Sequence, residues 1–504
     1  MSRNVADEAY EKLLGVIKKR GFIWGPSPEI YEGGVAGFYD FGTLGKLLKN
    51  NLENAVRKVC VRNNFWEVEC PLILPRIVWE ASGHLERFID PVITCKKCKT
   101  SLRADNFIKE NAPDEIVDGL SFEEMDQKIA SLGLGCPRCK GEFGKVHGYN
   151  LMLKTQIGYD QEAYLRPETA TTTYLLFKRY TTAFRDKLPF TVFQIGKAFR
   201  NEISPRQGVL RLREFTQAEA QIFTTEELAS NYPDFEKVKD YELPFLSAEN
   251  QEKGNNEVSL LSLEKALKKG VLKKQGFAFC FYISHQIFTA MGFSSGNLRF
   301  RQHKSNEKAH YAHDAWDLEV RSQKFGWVEC CGIHDRGTYD LGRHASYSKE
   351  NFDVGPKNAK EIPGVLEIAF GIERPLYLLL ELSYREEIVR DRERTWFNFP
   401  PIIAPIQVAV FPLMKKDKLP ELATKIYEDL LDVGFYVTYD DSGAIGRRYR
   451  RQDEIGTPYC VTVDYESLED QTVTIRRRDD MSQERVPISE IQSWLRNDIR
   501  QFSL

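Results

Sequence analysis

The sequence lacks a long apolar segment and a strong excess of either charge. No apolar run approaches the roughly 20 residues that cross a bilayer, and none precedes a cleavage signal at the N-terminus. Its 70 lysines and arginines against 73 acidic residues give a net charge of -3, which excludes a general attraction to nucleic acid. We therefore expect a cytoplasmic protein with no membrane or DNA partner, in which any RNA contact comes from local basic patches.

The sequence also lacks the cysteine pattern of a disulfide-stabilised protein. Of its 10 cysteines, four form two Cys-x-x-Cys pairs and the rest are scattered in apolar settings, as is typical of reduced thiols. The pairs, Cys95 with Cys98 and Cys136 with Cys139, flank a helical stretch and provide the ligand set of a closed structural zinc site. The span between them is long, so a metal-free insertion is the alternative, but the turn sequence CPRCKG favours Zn²⁺.

The domain organisation follows from length, composition and one proline-rich segment. A chain of 504 residues is long enough for about three domains, and its 42% hydrophobic and 28% charged residues are those of a globular protein. Three prolines within 394–405 predict a boundary between a first domain at 1–395 and an alternating α/β domain at 400–504. Within the first domain we expect a zinc-binding insertion at 92–147 and a helical surface insertion at 226–278.

A run of arginines predicts an anion-binding hairpin at 199–219. Strand-like residues at 191–199 and 209–217 enclose a turn signal. The four arginines of this segment are Arg200, Arg206, Arg211 and Arg213. Each guanidinium offers a planar fork of donors that matches phosphate or carboxylate oxygens, so several on one ribbon can orient a polyphosphate. From these residues alone, a solvated hairpin with surface ion pairs is an equal alternative.

A second basic cluster lies on a helix predicted at 444–455. Its members are Arg447, Arg448, Tyr449, Arg450 and Arg451. Positive charge beside an aromatic ring is the combination that single-stranded RNA recognition requires. The alternative is an exposed helix whose arginines pair with Asp453 and Glu454. The position of this helix after the first domain favours the RNA-binding interpretation.

Three segments, in order along the chain, resemble the signature motifs of class II aminoacyl-tRNA synthetases. They are NNFWEVECPLILP at 63–75, FRNE at 199–202 and EIAFGIER at 367–374. Longer matches resemble the homodimeric glycyl-tRNA synthetases of archaea and eukaryotes: RPETA at 166–170 and the segments at 200–219, 299–319, 327–341 and 440–465. The resemblance covers nearly the entire chain.

The resemblance implies an α+β fold with an antiparallel sheet flanked by helices, a zinc-binding insertion and a C-terminal α/β anticodon-binding domain. It implies a homodimer paired through a helix at 44–62 and a strand at 65–70. The implied activity is the ATP- and Mg²⁺-dependent attachment of glycine to tRNA(Gly) through a glycyl-adenylate, with the basic cluster on the tRNA. The alternatives are a related protein with altered amino-acid specificity and a non-catalytic accessory protein.

The resemblance also assigns residues to ATP. By this assignment Arg200 meets the α-phosphate and Glu202 accepts a hydrogen bond from the adenine amino group. Arg374 covers one face of the adenine opposite Phe215. The implied set comprises the catalytic residues Arg200, Glu202 and Arg374, the distal-phosphate residues Arg211 and Arg213, the stacking residue Phe215, the Mg²⁺ ligand Glu329, and Cys330. Retention of Arg200, Glu202, Phe215, Glu329 and Arg374 together argues against lost catalysis.

Glycine is assigned by the resemblance to four charged residues and one small residue. Glu168 and Glu219 would bind the ammonium, Arg336 the carboxylate, and Glu367 and Ala369 would lie near the α-carbon. This sequence departs from the family where Thr171-Thr172 replaces Gln-Gly and Ala369 replaces a small hydroxyl residue. A pocket discriminates by only about 1–3 kcal/mol on one methyl group, so alanine or serine could react beside glycine if these changes widen the pocket. If the threonines fill the space, glycine alone reacts, as the retained charged residues favour.

Overall fold

The computed structural model describes residues 3–113, 115, 117, 119–203, 205, 208–304, 307, 313–355 and 360–500. Arg206 lies outside these residues. Within them, no helix is both long enough and apolar enough to cross a membrane. The chain forms two parts with separate apolar cores, the first extending to Ala404 and the second beginning at Val408.

The first part is built on a mostly antiparallel sheet of nine strands. In spatial order they are Ser259–Ser262, Glu242–Leu246, Leu298–Gln302, Asp314–Ser322, Gly326–Gly337, Gly364–Gly371, Glu214–Thr224, Phe190–Phe199 and Trp66–Glu67. Within this sheet two pairings of the described strands are parallel, one near each edge. The antiparallel sheet expected from the resemblance is therefore confirmed.

The two faces of this sheet differ because successive side chains of a strand point to opposite sides. On one face, residues such as Ile222 and Trp316 join the main apolar core. Three helices pack on that face: Thr43–Arg62, Gln275–Ala290 and Glu373–Ser383. On the other face the same strands present Glu219 and Asp317, which line a cavity. The alternation thus separates the core from the candidate site.

The remaining elements of the first part surround this sheet. The helices are Arg3–Arg20, Arg76–Ser82, His84–Arg87, Ala104–Asn111, Phe122–Ser131, Ala170–Tyr174, Phe177–Ala183, Glu226–Ser230, Ala248–Glu252, Leu263–Lys268 and Tyr339–Ser348, with 3-10 turns at Gly208–Leu210, Phe235–Lys237 and Ser295–Asn297. The smaller sheets pair Ile23–Trp24 with Asp40–Phe41, Tyr384–Val389 with Arg392–Phe397, and Gln161–Leu165 with both Ile73–Pro75 and Leu153–Ile157. The helix predicted at 44–62 is present, whereas the strand predicted at 65–70 shortens to Trp66–Glu67.

The predicted arginine hairpin is present with a later return. Phe190–Phe199 pairs antiparallel with Glu214–Thr224, and Phe199 lies opposite Glu214. The predicted start of the returning strand at 209 is wrong, because Val209 and Leu210 form a 3-10 turn and pack into the main core. The arginine segment is therefore a long connection between two strands and not a tight turn.

The prediction of a purely helical surface insertion at 226–278 is wrong. The segment contains the strands Glu242–Leu246 and Ser259–Ser262, which extend the nine-stranded sheet at one edge. Leu243, Phe245 and Leu261 from these strands are buried in the main core, while the charged residues of the segment remain at the surface. The charge of the segment therefore lies outside its edge strand, Ser259–Ser262, which carries no charged residue.

The insertion expected at 92–147 forms a small unit of its own. Its sheet contains Ser101–Arg103, Ile89–Thr94 and His147–Asn150, and its helices Ala104–Asn111 and Phe122–Ser131 pack on that sheet. A separate apolar cluster that includes Ile93, Phe107 and Met125 holds these elements together. The acidic stretch between the two cysteine pairs is helical, as predicted.

The second part is the predicted α/β unit. Its five strands are, in spatial order across the sheet, Val437–Tyr439, Val408–Pro412, Tyr459–Val463, Thr472–Arg477 and Gln483–Pro487. Its helices are Leu419–Asp432, Ile445–Asp453, Tyr465–Asp470 and Ile491–Arg500, with a 3-10 turn at Ile488–Glu490. A buried ion pair joins the two parts, since Arg394 Nε donates to Asp453 at 2.9 Å. Arg476 donates to the same carboxylate, also at 2.9 Å.

Candidate active site

A cavity of about 260 Å³ opens on the polar face of the nine-stranded sheet. Its floor is a row of register partners on four adjacent strands: Glu219, Ala369, Gly332 and Asp317. The two central members carry little or no side chain. A Cβ atom added to Gly332 would lie 2.6 Å from the His334 ring, so this position excludes a side chain unless the histidine moves. The small residues leave the centre of the floor open.

Seven of the eight residues predicted to bind ATP line this cavity: Arg200, Glu202, Arg211, Phe215, Glu329, Cys330 and Arg374. Arg200 directly follows the strand Phe190–Phe199, and its guanidinium carbon lies 5.4 Å from the ring centroid of Phe215. Its Nε donates to the carbonyl of Pro167 at 3.1 Å, next to the predicted glycine-binding residue Glu168. Arg200 therefore lies between the predicted ATP site and the predicted amino-acid site.

The distal arginines of this segment have different surroundings. Arg211 Nε donates to the buried carboxylate of Glu202 at 2.6 Å. Arg213 does not line the cavity, because its Nε donates to the carbonyl of Glu202 at 2.9 Å and its second donor reaches the carbonyl of Ala36 at 2.6 Å. The expectation that Arg213 faces the distal phosphates is not supported by this position, since backbone carbonyls take its guanidinium.

Arg374 enters the cavity from the first turn of the helix Glu373–Ser383. The neighbouring Glu373 is buried and accepts hydrogen bonds from the Thr216 backbone and from Lys49, which anchors this turn to the sheet and to the helix Thr43–Arg62. The Arg374 guanidinium donates to the carbonyl of Glu329 and lies 3.6 Å from its carboxylate. Arg374 and Glu329 are thus neighbours on one wall of the cavity.

The five residues predicted for glycine line the same cavity: Glu168, Glu219, Arg336, Glu367 and Ala369. Three of them are carboxyl groups in one buried cluster. Burial and the proximity of Glu367 and Glu168 raise the pKa of Glu219 well above its ordinary value. Burial also opposes ionisation of the other two, but Arg336 with His334 lowers the pKa of Glu367, and His84 with Arg336 lowers that of Glu168. This excess of carboxyl groups suits a bound ammonium.

Arg336 has partners that differ from the predicted one. It makes two hydrogen bonds to the buried carboxylate of Asp340, at 2.7 and 2.8 Å, and two to Glu367, at 3.1 and 3.4 Å. The expectation that Arg336 binds the glycine carboxylate is not supported, because acidic side chains of the protein already engage its guanidinium. Its position instead fixes the orientation of Glu367.

The threonine pair that departs from the family does not line the cavity. Thr171 Oγ1 donates to the carboxylate of Glu168 at 2.7 Å, and Thr172 Oγ1 donates to the carbonyl of Thr169, also at 2.7 Å. Both threonines are buried within the short helix Ala170–Tyr174. Thr171 therefore supports Glu168, Thr172 supports the backbone beside it, and neither enlarges the pocket.

The cavity also contains polar residues that the sequence analysis did not assign: Gln217, His303, Asp317 and His334. Gln217 donates to Glu219 at 2.7 Å, and His334 lies 3.1 Å from Glu367. A hydrogen bond of 2.7 Å joins His303 to Asp317. Side chains two residues apart on a strand share a face, so the sequence could have predicted that Gln217 lies on the same face as Glu219, and His334 on the same face as Arg336. The pairing of His303 with Asp317 across strands had no such signal.

The four paired cysteines converge at one point of the insertion. All four sulfurs lie within 4.8 Å of one another, with Cys95 and Cys139 at 3.6 Å and Cys98 and Cys136 at 3.5 Å. Tetrahedral Zn²⁺ with bonds of about 2.3 Å requires sulfur separations of about 3.8 Å, which this cluster nearly matches. The two pairs have the same turn, in which the amide after the second cysteine donates to the carbonyl of the first. The residues present therefore fit a structural zinc ion.

The predicted tRNA-binding helix, Ile445–Asp453, presents only part of its basic cluster to solvent. Arg448 is 3% exposed and donates to the carbonyls of Pro412 and Gly443, so its predicted contact with RNA is wrong for this conformation. The Tyr449 hydroxyl bonds to Thr462 at 2.6 Å, and Arg451 pairs with Asp440, also at 2.6 Å. Arg447 is exposed, whereas Arg450 is partly buried.

Two family models match this chain. The tRNA synthetase class II core domain (G, H, P, S and T) matches residues 153–383, and the anticodon binding domain matches residues 407–498. These ranges include the cavity-forming strands of the first part and nearly the whole of the second part.

Solved synthetase structures have the same fold at low sequence identity. The prolyl-tRNA synthetase of Giardia lamblia in complex with prolyl-adenylate has a TM-score of 0.61 at 14% identity, covering 99% of this chain and 80% of that chain. A threonyl-tRNA synthetase structure from Cryptosporidium parvum Iowa II, described as its RNA binding domain, has a TM-score of 0.59 at 18% identity, covering 96% and 97%.

Curated relatives match over nearly their full length. The glycine–tRNA ligase of Methanococcus maripaludis strain C7 is 39% identical, over 98% of this chain and 100% of its own. That of Thermococcus gammatolerans is 42% identical, over 97% and 98% respectively. With this identity along both chains, and with a class II core domain and an anticodon binding domain in the same order, the chain belongs to the glycine–tRNA ligase family.

Proposed function

We propose that this protein activates glycine with ATP and transfers it to tRNA(Gly). The proposal depends on one cavity that combines guanidinium groups with carboxyl groups: Arg200, Arg211 and Arg374 on one side, and Glu168, Glu219 and Glu367 on the other. Guanidinium groups suit the phosphates of a nucleotide, and carboxyl groups suit the ammonium of an amino acid. The names of the curated relatives identify that amino acid as glycine.

In the activation step, a glycine carboxylate oxygen attacks the α-phosphorus of ATP. The bond from that phosphorus to the bridging oxygen of the β-phosphate breaks, pyrophosphate leaves, and glycyl-adenylate forms. Both reactants are anions, so the protein contributes charge and alignment and needs no nucleophile. We assign the glycine carboxylate and the α-phosphate to Arg200, in place of the earlier assignment of the carboxylate to Arg336, because Arg200 adjoins both Phe215 and the loop before Glu168.

The other residues on this side hold the nucleotide. Arg374 would cover the adenine opposite Phe215, a favourable stack for a delocalised cation. Glu202 would accept a hydrogen bond from the adenine amino group and release Arg211 to the distal phosphates. Glu329, with Cys330 beside it in the wall, would hold Mg²⁺, a hard ion that prefers carboxylate and phosphate oxygens and offsets their charge.

We propose that glycine is selected above Ala369, where the floor is open but a buried carboxyl group adjoins it. The register partners of Ala369 are Glu219 on one side and Gly332 on the other, so a side chain on the α-carbon would lie beside that buried carboxyl group. Thr171 donates to Glu168 and Thr172 donates to the carbonyl of Thr169, and neither threonine lines the cavity. We therefore propose glycine as the main substrate, with Glu168, Glu219 and Glu367 around its ammonium.

Amino-acid-dependent ATP–pyrophosphate exchange tests the proposal directly. Glycine, alanine and serine are compared in the unmodified protein and in Ala369→Ser. We expect exchange with glycine to exceed the other two, and Ala369→Ser to reduce any residual exchange with alanine or serine. If either of these exceeds glycine, the protein is a synthetase of altered specificity. If none of the twenty amino acids supports exchange, the accessory-protein alternative replaces this proposal.

We further propose that Cys95, Cys98, Cys136 and Cys139 hold one structural zinc ion per chain. The support is the convergence of four sulfurs and the matched turns of the two pairs. Elemental analysis should find one zinc per chain in the native protein and less in Cys136→Ser. Absence of zinc, or full metal content in that variant, would contradict the assignment.

The transfer step requires tRNA, which we assign to the anticodon-binding domain at 400–504 together with the catalytic domain at 1–395.

We also propose a homodimer. Exposed apolar residues concentrate near the predicted pairing segment, and they include Val61, Trp66 and Ile77. Trp66 lies on an edge strand of the main sheet, where unpaired backbone N–H and C=O groups can hydrogen-bond to another subunit. Light scattering should report a dimer for the native protein and a monomer for Trp66→Arg.

A further inference from the structure

The zinc-site insertion has its base against the arginine segment of the cavity. One base strand, Ile89–Thr94, leads directly to Cys95, and the other, His147–Asn150, returns the chain to the first part. The backbone amide of Asn201, next to Arg200, donates to the carbonyl of Leu151 at 2.8 Å. The Asn201 side-chain amide donates to the Tyr149 hydroxyl at 2.5 Å.

Two residues at the start of the first base strand reach the cavity arginines themselves. The guanidinium carbon of Arg200 lies 5.5 Å from the ring centroid of Phe88, on which it stacks while also contacting Phe215. A carboxylate oxygen of Asp90 lies 3.7 Å from Arg211. Phe88 is half-buried and Asp90 is 9% exposed, so both contacts are partly shielded from water.

Asp90 also connects Arg211 to the body of the insertion. Its carboxylate accepts a hydrogen bond from Arg103 at 2.8 Å, and Arg103 in turn pairs with Asp105 at the start of the helix Ala104–Asn111. Arg211 therefore lies between two carboxylates, Glu202 in the cavity and Asp90 at the base of the insertion. If Glu202 turns to the adenine, Asp90 is the carboxylate that remains beside Arg211.

We propose that Phe88 and Asp90 are positioning residues for ATP, which hold Arg200 and Arg211 in the orientations that the phosphates require. The inference rests on the proposed function of the cavity and extends it to the base of the insertion. An arginine that is already oriented loses less side-chain freedom when it binds a phosphate, so its positioning partners lower the KM for ATP. Among the described residues Asp90 pairs with Arg103 and Arg211, neither of which we assign to glycine, so the KM for glycine should not depend on Asp90. Phe88 stacks on Arg200, which we also assign to the glycine carboxylate, so its loss should affect both substrates.

The test compares Asp90→Asn with Asp105→Asn. Both variants remove a carboxylate partner of Arg103, but only Asp90 also contacts Arg211. In pyrophosphate exchange, we expect Asp90→Asn to raise the KM for ATP by about 2- to 10-fold, the cost of ordering one long side chain, with the KM for glycine unchanged. Asp105→Asn should leave both constants near their native values. Phe88→Leu, which keeps an apolar side chain without a ring, should raise the KM for ATP and also the KM for glycine, because Arg200 serves both substrates.

The shift in unfolding temperature that ATP causes gives a second measurement that does not require exchange. It should be smaller for Asp90→Asn and Phe88→Leu than for the native protein and Asp105→Asn. If exchange fails in the native protein but this pattern of shifts holds, the proposed reaction is wrong and the positioning inference stands. Equal effects of Asp90→Asn and Asp105→Asn, a parallel rise in both KM values of Asp90→Asn, or unchanged ATP constants in both Asp90→Asn and Phe88→Leu would overturn the inference. Should Asp90→Asn fail to fold, Asp90→Glu decides by the same criteria, with the KM for ATP of Phe88→Leu as the second measurement.

Discussion

This protein has two arginine-rich segments, residues 200–213 and the helix Ile445–Asp453. Both carry several closely spaced arginines, but the surroundings of those arginines differ. In the first, Arg200 and Arg211 line the cavity and contact aromatic rings or carboxylates at its wall. In the second, Arg448 is buried and three hydrogen bonds tie it to the carbonyls of Pro412 and Gly443. One segment offers guanidinium groups to a ligand, and the other uses one to hold its own fold.

The difference shows that the fork of donors on arginine does not by itself indicate an anion site. A backbone carbonyl accepts the same N–H groups that a phosphate does, and a buried carbonyl requires a donor. Arg213 makes the point within the first segment, because it donates to the carbonyls of Glu202 and Ala36 while its neighbours line the cavity. The partner of each guanidinium, and not the density of arginines, decides its role.

The largest effect should come from Arg200→Ala. This arginine contacts both predicted substrate regions, and removing one preorganised group that stabilises transition-state charge typically costs about 10²–10³-fold in rate. We expect pyrophosphate exchange to fall by at least that factor while the unfolding temperature stays close to the native value. Arg447→Ala, an exposed arginine of the other segment, is the matched control and should retain full exchange. Substantial exchange by Arg200→Ala would remove it from the proposed mechanism.

Arg448→Ala should have the next largest effect, and on stability instead of activation. The change leaves the buried carbonyl of Pro412 without the Arg448 donor, and an unsatisfied buried polar group costs about 1–3 kcal/mol, whereas water can replace the donor to the exposed residue Gly443. We expect the C-terminal part to unfold at lower denaturant concentration, followed by circular dichroism, with exchange unchanged. A fully stable Arg448→Ala that binds tRNA poorly would instead restore the original interpretation of this residue.

The parts of the site that the sequence predicted are those whose chemistry is carried by short, local patterns. The two cysteine pairs each require a tight turn, and the family motifs mark Arg200, Glu202 and Arg374 by their immediate neighbours. What the sequence did not reveal depends on pairing across the sheet. His303 meets Asp317, and Arg336 meets Glu367, through register that no local pattern specifies. The pairing of Arg336 with Asp340, four residues later in the chain, is a local contact.

The same reasoning explains the missed strands. Glu242–Leu246 and Ser259–Ser262 are short, lie at or next to a sheet edge and show no clear alternation of exposed polar and buried apolar residues. Leu260 is exposed, for example, whereas Ser262 is buried. Only contact with the rest of the sheet distinguishes them, as where Phe245 lies opposite Phe300. Tertiary packing overrides local propensity there.

Arg213→Ala should have a smaller effect than either earlier change. The carbonyls that Arg213 supports belong to Glu202 and to the exposed residue Ala36, so water can replace part of the lost bonding and the cost should be about 1 kcal/mol or less. We expect a slightly lower unfolding temperature and a KM for ATP close to the native value. A rise in that KM as large as for Arg211→Ala would mean that Arg213 turns to the phosphates when ATP binds, and the comparison drawn between these two arginines would fail.

The smallest effect should come from Arg447→Ala, which tests whether the exposed part of the basic cluster binds tRNA. Arg447 is exposed on the helix Ile445–Asp453, and no hydrogen bond or ion pair engages its side chain among the described residues. Each phosphate contact releases counterions, so losing one should weaken tRNA binding modestly and reduce the slope of log K against log salt by about 0.9 or less. The measurement is tRNA affinity across a salt series, beside exchange and unfolding temperature, both of which should stay native. Because Arg448→Ala acts through stability, its tRNA affinity should fall only where the C-terminal part is partly unfolded, with the native salt slope otherwise retained. An unchanged slope in Arg447→Ala would assign the tRNA contact to another surface of the C-terminal part.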